Sequence, residues 1–300
     1  MRSFYIFALS VVTSCVVLYL IAIWSLSNIH FKGLPLIYRT NSFYQWQGGD
    51  TYHKLKLLEE NPKVLVLGSS KAYRGIDCNV LSEQVGATLN LGTTAQNVCV
   101  SFSLLKEHLR FSKPDLLVIE ISPISFESDG FESRVNLLAN GVSMNLAQDL
   151  GIFKDIRYTN VFLSQKFKLS DESFYEKDGY QNCGSVLSDS SLPAEFAFPE
   201  LDNEFLPGEE QKGCFSELVD FVQSEGINTI FINLPVPEES KGADIIKCSS
   251  YVHSCKRDIP YLELDDAEIN TTEHFYDHIH LNAKGAKAVS LKLAKSVLKK

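Results

Sequence analysis

Two short segments far apart in this 300-residue chain carry side chains suited to nucleophilic catalysis. Gly68-Ser69-Ser70 offers hydroxyls directly after an apolar run. Asp277-His278-Ile279-His280 offers an imidazole with a carboxylate three residues before it. A serine hydroxyl is a weak nucleophile until a base takes its proton. His280 is the natural base for Ser70, and Asp277 can fold back to its Nδ1–H, fixing the tautomer and stabilising the imidazolium as it forms. If Ser70 starts a helix, its backbone N–H faces a bound anion and the dipole favours negative charge. Gly92, at another strand end, would let the backbone approach a substrate closely and add a second N–H to an oxyanion hole. Asn233 is a third candidate donor.

Each of these residues also has a plainer reading. Ser70 alone could cap a helix, Gly92 could only end a strand, and Asn233 suits a turn before Pro235. It is the combination of GSS with DxxH near the carboxyl terminus that favours chemistry. Arg74 and Asp77, just past the serine, read as a structural pair holding the loop rather than as a binder of anionic polymer. His274, Asp277, His278 and His280 could together ligate zinc. However, no Glu follows His274 in the zinc-protease order, and Asn282 reads as a helix start just beyond. The expectation is therefore no metal and no cofactor, with His274 and His278 at the surface. GSSKAYRG also lacks the glycines of a phosphate loop, which disfavours a nucleotide-binding module.

The elements that must position these residues alternate. Lys63 to Gly68, Ala87 to Leu91, Asp115 to Ile121 and Asn228 to Asn233 are short apolar runs of the kind buried on both faces of a sheet, and Tyr261 to Leu264 is a fifth candidate. Between and around them, Tyr52 to Glu60, Asn79 to Val85, Val98 to Phe111, Glu209 to Ser224 and Ala283 to Leu298 have helical spacing, the last with Asn282 as its cap. Such alternation predicts right-handed crossovers and a parallel sheet. In an open parallel sheet, ligands bind beyond the carboxyl ends of the strands. That rule should bring together Gly68-Ser69-Ser70, Gly92-Thr93-Thr94, Ser122-Pro123, Asn233-Leu234-Pro235 and the segment Tyr276 to Asn282. The polar, aromatic stretch from Ser125 to Pro207 breaks the alternation and reads as an insertion, at about 125–207, with short helices after the third strand.

The amino terminus differs from the rest. Ser3 to Ser27 contains no charged side chain and is apolar almost throughout. A helix needs roughly 20 such residues to cross the hydrocarbon core. The run exceeds the ~7–15 residues usual in a cleaved signal and ends in bulky Ile23 and Trp24, so an uncleaved anchor through residues 4–26 is expected. Arg2 favours an amino terminus left in the cytoplasm, with the rest outside. The expected organisation is an anchor at 1–27, a juxtamembrane linker and helix at 28–62 (Phe31 to Gly49 without clear period), and one α/β domain at 63–300. The net charge of -9 argues against nucleic-acid partners. Of seven cysteines, Cys15 lies in the span. The other six permit disulfides in an oxidising compartment, and Cys248 and Cys255, read as bracketing a short loop, are the expected first pair; buried free thiols are the equal alternative, since six cysteines allow about 15 connectivities.

The motifs VLVLGSSKAYRGID, NLGTTAQN, DLLVIEISP and DHIHLNAKGA resemble the SGNH (GDSL-like) hydrolase superfamily, in a membrane-anchored branch that includes exopolysaccharide acetylation and teichoic-acid D-alanylation proteins. The resemblance runs from about Lys63 to the end, outside the insertion, and DxxHLNxxG is its most specific piece. It implies a three-layer flavodoxin-like fold, Ser70 as nucleophile, Ser70 and Gly92 amides in the oxyanion hole, and Asp277 with His280 completing a triad. One departure stands out: where the superfamily places a Gly-x-Asn-Asp block after the third strand, this chain reads ISPIS, without an Asn. The expected function is an extracytoplasmic esterase or O-acyl (acetyl) transferase. It would act on an acylated polysaccharide or cell-envelope polymer, with a membrane acyl-transfer partner as a possible feeder of the site. The rival is a non-catalytic assembly or carbohydrate-binding protein on the same fold.

Overall fold

The computed structural model describes residues 1–31, 34–37, 49–167, 179–193, 195–201, 204–265, 268–269 and 271–298. Chain contacts divide it into two compact units, one of Met1–Gly48 with Val135–Phe174 and one of Gly49–Arg134 with Tyr175–Lys300.

The larger unit is built on five strands: β1 (Val64–Leu67), β2 (Thr88–Asn90), β3 (Leu116–Glu120), β4 (Thr229–Asn233) and β5 (Tyr261–Glu263). All pair in parallel, in the order β2-β1-β3-β4-β5. This is the doubly wound, flavodoxin-like order, whose strand reversal lies between β1 and β3. β1, β2 and β3 are buried along their whole length, which is why they read as unbroken apolar runs rather than alternating ones.

Helices cover both faces. With α1 (Arg2–Asn28) and α2 (Gly49–Lys56) before the sheet, β1 leads into α3 (Ser70–Gly75) and α4 (Cys78–Val85), and α5 (Val98–His108) follows β2. Four short helices follow β3: α6 (Ile124–Glu127), α7 (Phe131–Leu138), α8 (Met144–Asp149) and α9 (Ile156–Phe167). Then come α10 (Glu209–Ser224), α11 (Ala243–Cys255) and α12 (Ala283–Leu298). On one face α4 and α12 pack together, with Leu81, Val289 and Leu293 against Val64, Val66, Val118 and Ile232 of the sheet. On the other, α5 and α10 pack together through Phe102 and Phe221, ring centroids 5.4 Å apart, while Phe215 meets Phe231 of β4 at 5.3 Å. Asn282 caps α12 as expected, its Oδ1 accepting from Gly285 N at 3.0 Å.

Two disulfides staple the larger unit. Cys99–Cys214 joins α5 to α10, and Cys78–Cys183 ties the start of α4 to the Gln181–Ser185 turn. The expected Cys248–Cys255 pair is corrected: both are free thiols inside α11. Seven residues of helix separate their Cα atoms by roughly 10 Å along the axis, beyond the reach of a disulfide. The segment read as a short loop is therefore a helix.

In the smaller unit α1 is a 27-residue helix long and apolar enough to cross a membrane. A two-residue antiparallel ladder follows it, His30–Phe31 with Leu34–Pro35. Most of the stretch read as a juxtamembrane linker, residues 32–33 and 38–48, lies outside the described residues.

Candidate active site

β1 delivers the chain to the carboxyl edge of the sheet, where Gly68 turns it sharply. Its φ of +146° suits glycine, and a Cβ there would sit 2.6 Å from Glu120 Cβ and 2.9 Å from Ala72 Cβ. Ser69 is the N-cap of α3, accepting from Lys71 N, so Ser70 is the first helical residue. Its N–H is engaged by no hydrogen bond among the described residues, as expected at the first turn of a helix.

His280 Nε2 lies 2.8 Å from Ser70 Oγ, and His280 Nδ1 lies 2.8 Å from Asp277 Oδ2. The second carboxylate oxygen, Asp277 Oδ1, accepts from the N–H groups of Ile279 (2.9 Å) and His280 (2.7 Å). Those two bonds close the turn and fix the carboxylate against the ring, which explains locally why Asp and His stand three residues apart. The Tyr276 ring stacks on the imidazole at 5.5 Å, nearly parallel, and the Arg74 guanidinium lies over the other members of this wall, 5.2 Å from both the Tyr73 and Tyr276 centroids.

Electrostatics follow from this packing. Burial pushes the His280 pKa below its ordinary value, and the nearby Arg74 and Lys71 cations push the same way, while Asp277 resists. Burial acts against the Asp277 charge, yet the His280 ring and the two backbone N–H donors hold its pKa below the usual carboxylate range. The pair is therefore a neutral imidazole beside an ionised carboxylate at neutral pH. Such an imidazole can accept the Ser70 proton.

Four of the five segments anticipated at this edge are linked: His280 meets Ser70, Thr93 N donates to Gly68 O (3.2 Å), and Lys71 Nζ donates to Leu234 O (3.2 Å). From β3 it is Glu120, before Ser122-Pro123, that reaches the turn, its Oε2 accepting from Ser69 N and Oγ (2.9 Å each). Glu120 and Lys71 were not anticipated. Glu120 is 1% exposed and ends the apolar run LLVIE, so a charge at the carboxyl end of a central strand was the signal for it. Its carboxylate braces the turn that presents Ser70. Burial pushes the Lys71 pKa down, opposed by Glu120.

Gly92 adjoins the turn: a Cβ there would lie 3.1 Å from the carbonyl oxygens of both Gly68 and Ser69. Its N–H donates to Asn90 Oδ1 at 3.0 Å, and its carbonyl accepts from the buried Lys54 ammonium. Asn233 ends β4; its carbonyl accepts from Leu264 N, and its Oδ1 is buried without a hydrogen bond. It lines a separate cavity of about 260 Å³ with Lys241, Ser249 and Asp265, and no described hydrogen bond links it to Ser70 or His280.

Three minor expectations are corrected. Arg74 and Asp77 do not pair: Asp77 Oδ1 caps α4 by accepting from Asn79 N and Val80 N, while Arg74 lies on aromatic rings. His274 is buried rather than at the surface, its Nδ1 2.9 Å from Thr271 Oγ1. His278 is half-buried, stacked on Phe196. An open cavity of about 580 Å³, lined by Arg74, Val186, Leu187 and Ser188 among others, lies one helical turn from Ser70.

No protein-family model matches the sequence, and no curated protein matches it. Among solved structures, the chain is similar to a G-D-S-L family protein assigned as lipolytic from Desulfitobacterium hafniense, at 13% identity and TM-score 0.42, covering 78% of this chain and 99% of that one. It is similar to a protein assigned as a platelet activating factor from Streptococcus pneumonia, at 13% identity and TM-score 0.46, covering 86% and 96%. A third is a protein assigned as an acylhydrolase from Bacteroides fragilis, at 13% identity and TM-score 0.39, covering 85% and 98%.

Proposed function

We propose that this protein is an SGNH-type serine esterase or O-acyltransferase, anchored by α1 and acting outside the cytoplasm on an acylated polysaccharide or cell-envelope polymer. The observation that carries the reading is the continuous hydrogen-bonded path from Ser70 Oγ through the His280 ring to Asp277, with 2.8 Å at each step. In the proposed mechanism Ser70 Oγ attacks an ester carbonyl as His280 Nε2 takes its proton, giving a tetrahedral oxyanion. Collapse returns that proton to the departing alkoxide and leaves an acyl-serine. Water or a sugar hydroxyl, deprotonated by the same imidazole, then releases the acyl group. The Ser70 N–H at the first turn of α3 is the donor best disposed to the oxyanion.

Placement outside the cytoplasm draws support from the apolar α1 and from Cys78–Cys183 and Cys99–Cys214, since disulfides persist in oxidising compartments. A polymeric substrate suits the open cavity beside Arg74 better than it would a closed pocket.

Two observations favour the second reading, a non-catalytic polysaccharide-binding protein: the Gly92 N–H is already taken by Asn90 Oδ1, and no Asn stands in the Ile121-Ser122-Pro123 segment. Losing one oxyanion donor costs roughly 10²–10³ in rate. The full-length protein in detergent, assayed with a chromogenic acetyl ester beside Ser70→Ala, separates the two. Turnover lost in the variant supports the enzyme; equal background rates in both support binding alone. Adding an acceptor polysaccharide then distinguishes transfer from hydrolysis by where the acetyl group ends.

A further inference from the structure

The smaller unit carries an apolar tip that the esterase chemistry does not use. Along α1, Arg2 to Leu18 is exposed apart from half-buried Ala8, whereas Tyr19, Leu20, Ile23 and the turn from Ser25 to Asn28 are partly or wholly buried. The helix that covers them is α9. Tyr19 OH donates to Asn160 Oδ1 at 2.6 Å, and Asn28 Nδ2 donates to Phe167 O at 3.0 Å. These two contacts fix the direction: α9 runs parallel to α1, with Asn160, one turn into α9, level with Tyr19.

The turn entering α9, Gly151 to Asp155, therefore lies on the side of Tyr19 toward the amino terminus of α1. Ile156 is four residues before Asn160, which sets it roughly 6 Å further toward that end. The tip exposes two large apolar side chains, Phe153 (77%) and Ile156 (62%). It is not a loose loop: Leu150 and Ile152 are buried, Thr159 Oγ1 donates to Ile152 O, and Asp155 accepts from Arg157 N. A fixed scaffold thus presents Phe153 and Ile156 outward, with Lys154 and Arg157 between and beside them.

We propose that this tip is a second membrane contact, with Phe153 and Ile156 seated at the headgroup–acyl boundary of the leaflet where α1 emerges. The partner is a phospholipid surface. The placement rests on α1 being the membrane span, and Ile156, four residues before Asn160, shares the face of α9 that meets Tyr19. The bare run from Ser3 to Leu18 is roughly 24 Å of helix, most of the ~30 Å hydrocarbon thickness. Tyr19 and the exposed Trp24 then fall in the interfacial belt that favours amphipathic aromatic rings. Side chains a few ångströms below Tyr19 reach the depth at which interfacial amphipathic segments bury their apolar face, and Lys and Arg stems extend from that depth to the phosphates. With two attachments, the helix and the tip, the smaller unit is held at a set height and rotation on the bilayer.

The test uses full-length protein in phosphatidylcholine vesicles, with an environment-sensitive fluorescent amino acid in place of Phe153, Leu9 or Ile29, one position at a time. Each position is exposed in the protein itself. Quenching is read with a lipid carrying a nitroxide near the top of its acyl chain. The proposal expects severalfold stronger quenching and a blue-shifted emission at position 153 relative to 29. If 153 behaves like 29 while 9 is quenched by a deep nitroxide, the anchor stands and the tip contact is overturned. If 9 is not quenched either, the anchor fails and the tip proposal falls with it.

Discussion

Ser70, His280 and Asp277 are separated in sequence yet share one chain of hydrogen bonds, and the state of the imidazole decides what that chain can do. Burial lowers its pKa from the ordinary 6.5, so it is deprotonated and competent as a base at neutral pH. Because activity needs the neutral ring, kcat/KM for an acetyl ester should rise with pH, with a midpoint below 6.5, and be level above it. A midpoint above 7 would contradict a lowered pKa. Asp277→Asn keeps the shape but replaces the acceptor that fixes the Nδ1–H tautomer, and kcat should fall by about 10⁴. That Ser70 and His280 meet was readable from residue types, because a serine after an apolar run and a DxxH near the terminus suggest one reaction. Partners set by three-dimensional packing were not readable. Spacing says nothing of the Tyr276 ring on His280, of the Arg74 guanidinium over two rings, or of the burial of His274.

At the scale of elements, the site depends on how β1 hands over to α3. Gly68 permits the turn, Ser69 caps the helix, and Glu120 at the end of β3 accepts both Ser69 donors. Glu120→Gln keeps one acceptor but removes the charge facing buried Lys71. It should lower the denaturant midpoint by an amount equivalent to about 1–3 kcal/mol at unchanged m-value, and slow turnover by displacing Ser70. A neutral effect on both would remove Glu120 from the account. Reducing Cys78–Cys183, which closes a span of 105 residues, should cost roughly 2–5 kcal/mol in the same measurement. Strands were legible for a physical reason: burial on both faces demands continuous apolar runs, so VLVL and LLVIE stand out. α11 was missed because it was read as a loop between two cysteines rather than as ADIIKCSSYVHSC with Ile245, Cys248 and Val252 in helical register. Glu120 was missed because a run scored as apolar hides the one charge at its end.

At the scale of the whole molecule, an acidic α/β unit follows an apolar amino-terminal helix in one chain, and the division into two compact units is something the linear pattern did not foretell. Residues 135–174 join the amino-terminal unit through α9, a long-range pairing that no local periodicity encodes. If α1 is an uncleaved anchor, the intact protein should remain with the membrane pellet through alkaline carbonate washing, and protease added outside right-side-out cells should digest the α/β unit. Release of the intact chain by carbonate would count against the anchor. The central claim, that Ser70 is activated for attack, is tested most directly by covalent capture. Full-length protein treated with a fluorophosphonate and analysed by peptide mass spectrometry should carry the phosphonyl mass on Ser70. Labelling should be abolished in Ser70→Ala and strongly slowed in His280→Ala. Failure of the folded wild type to label, or labelling that persists at the same rate without the His280 imidazole, would contradict it.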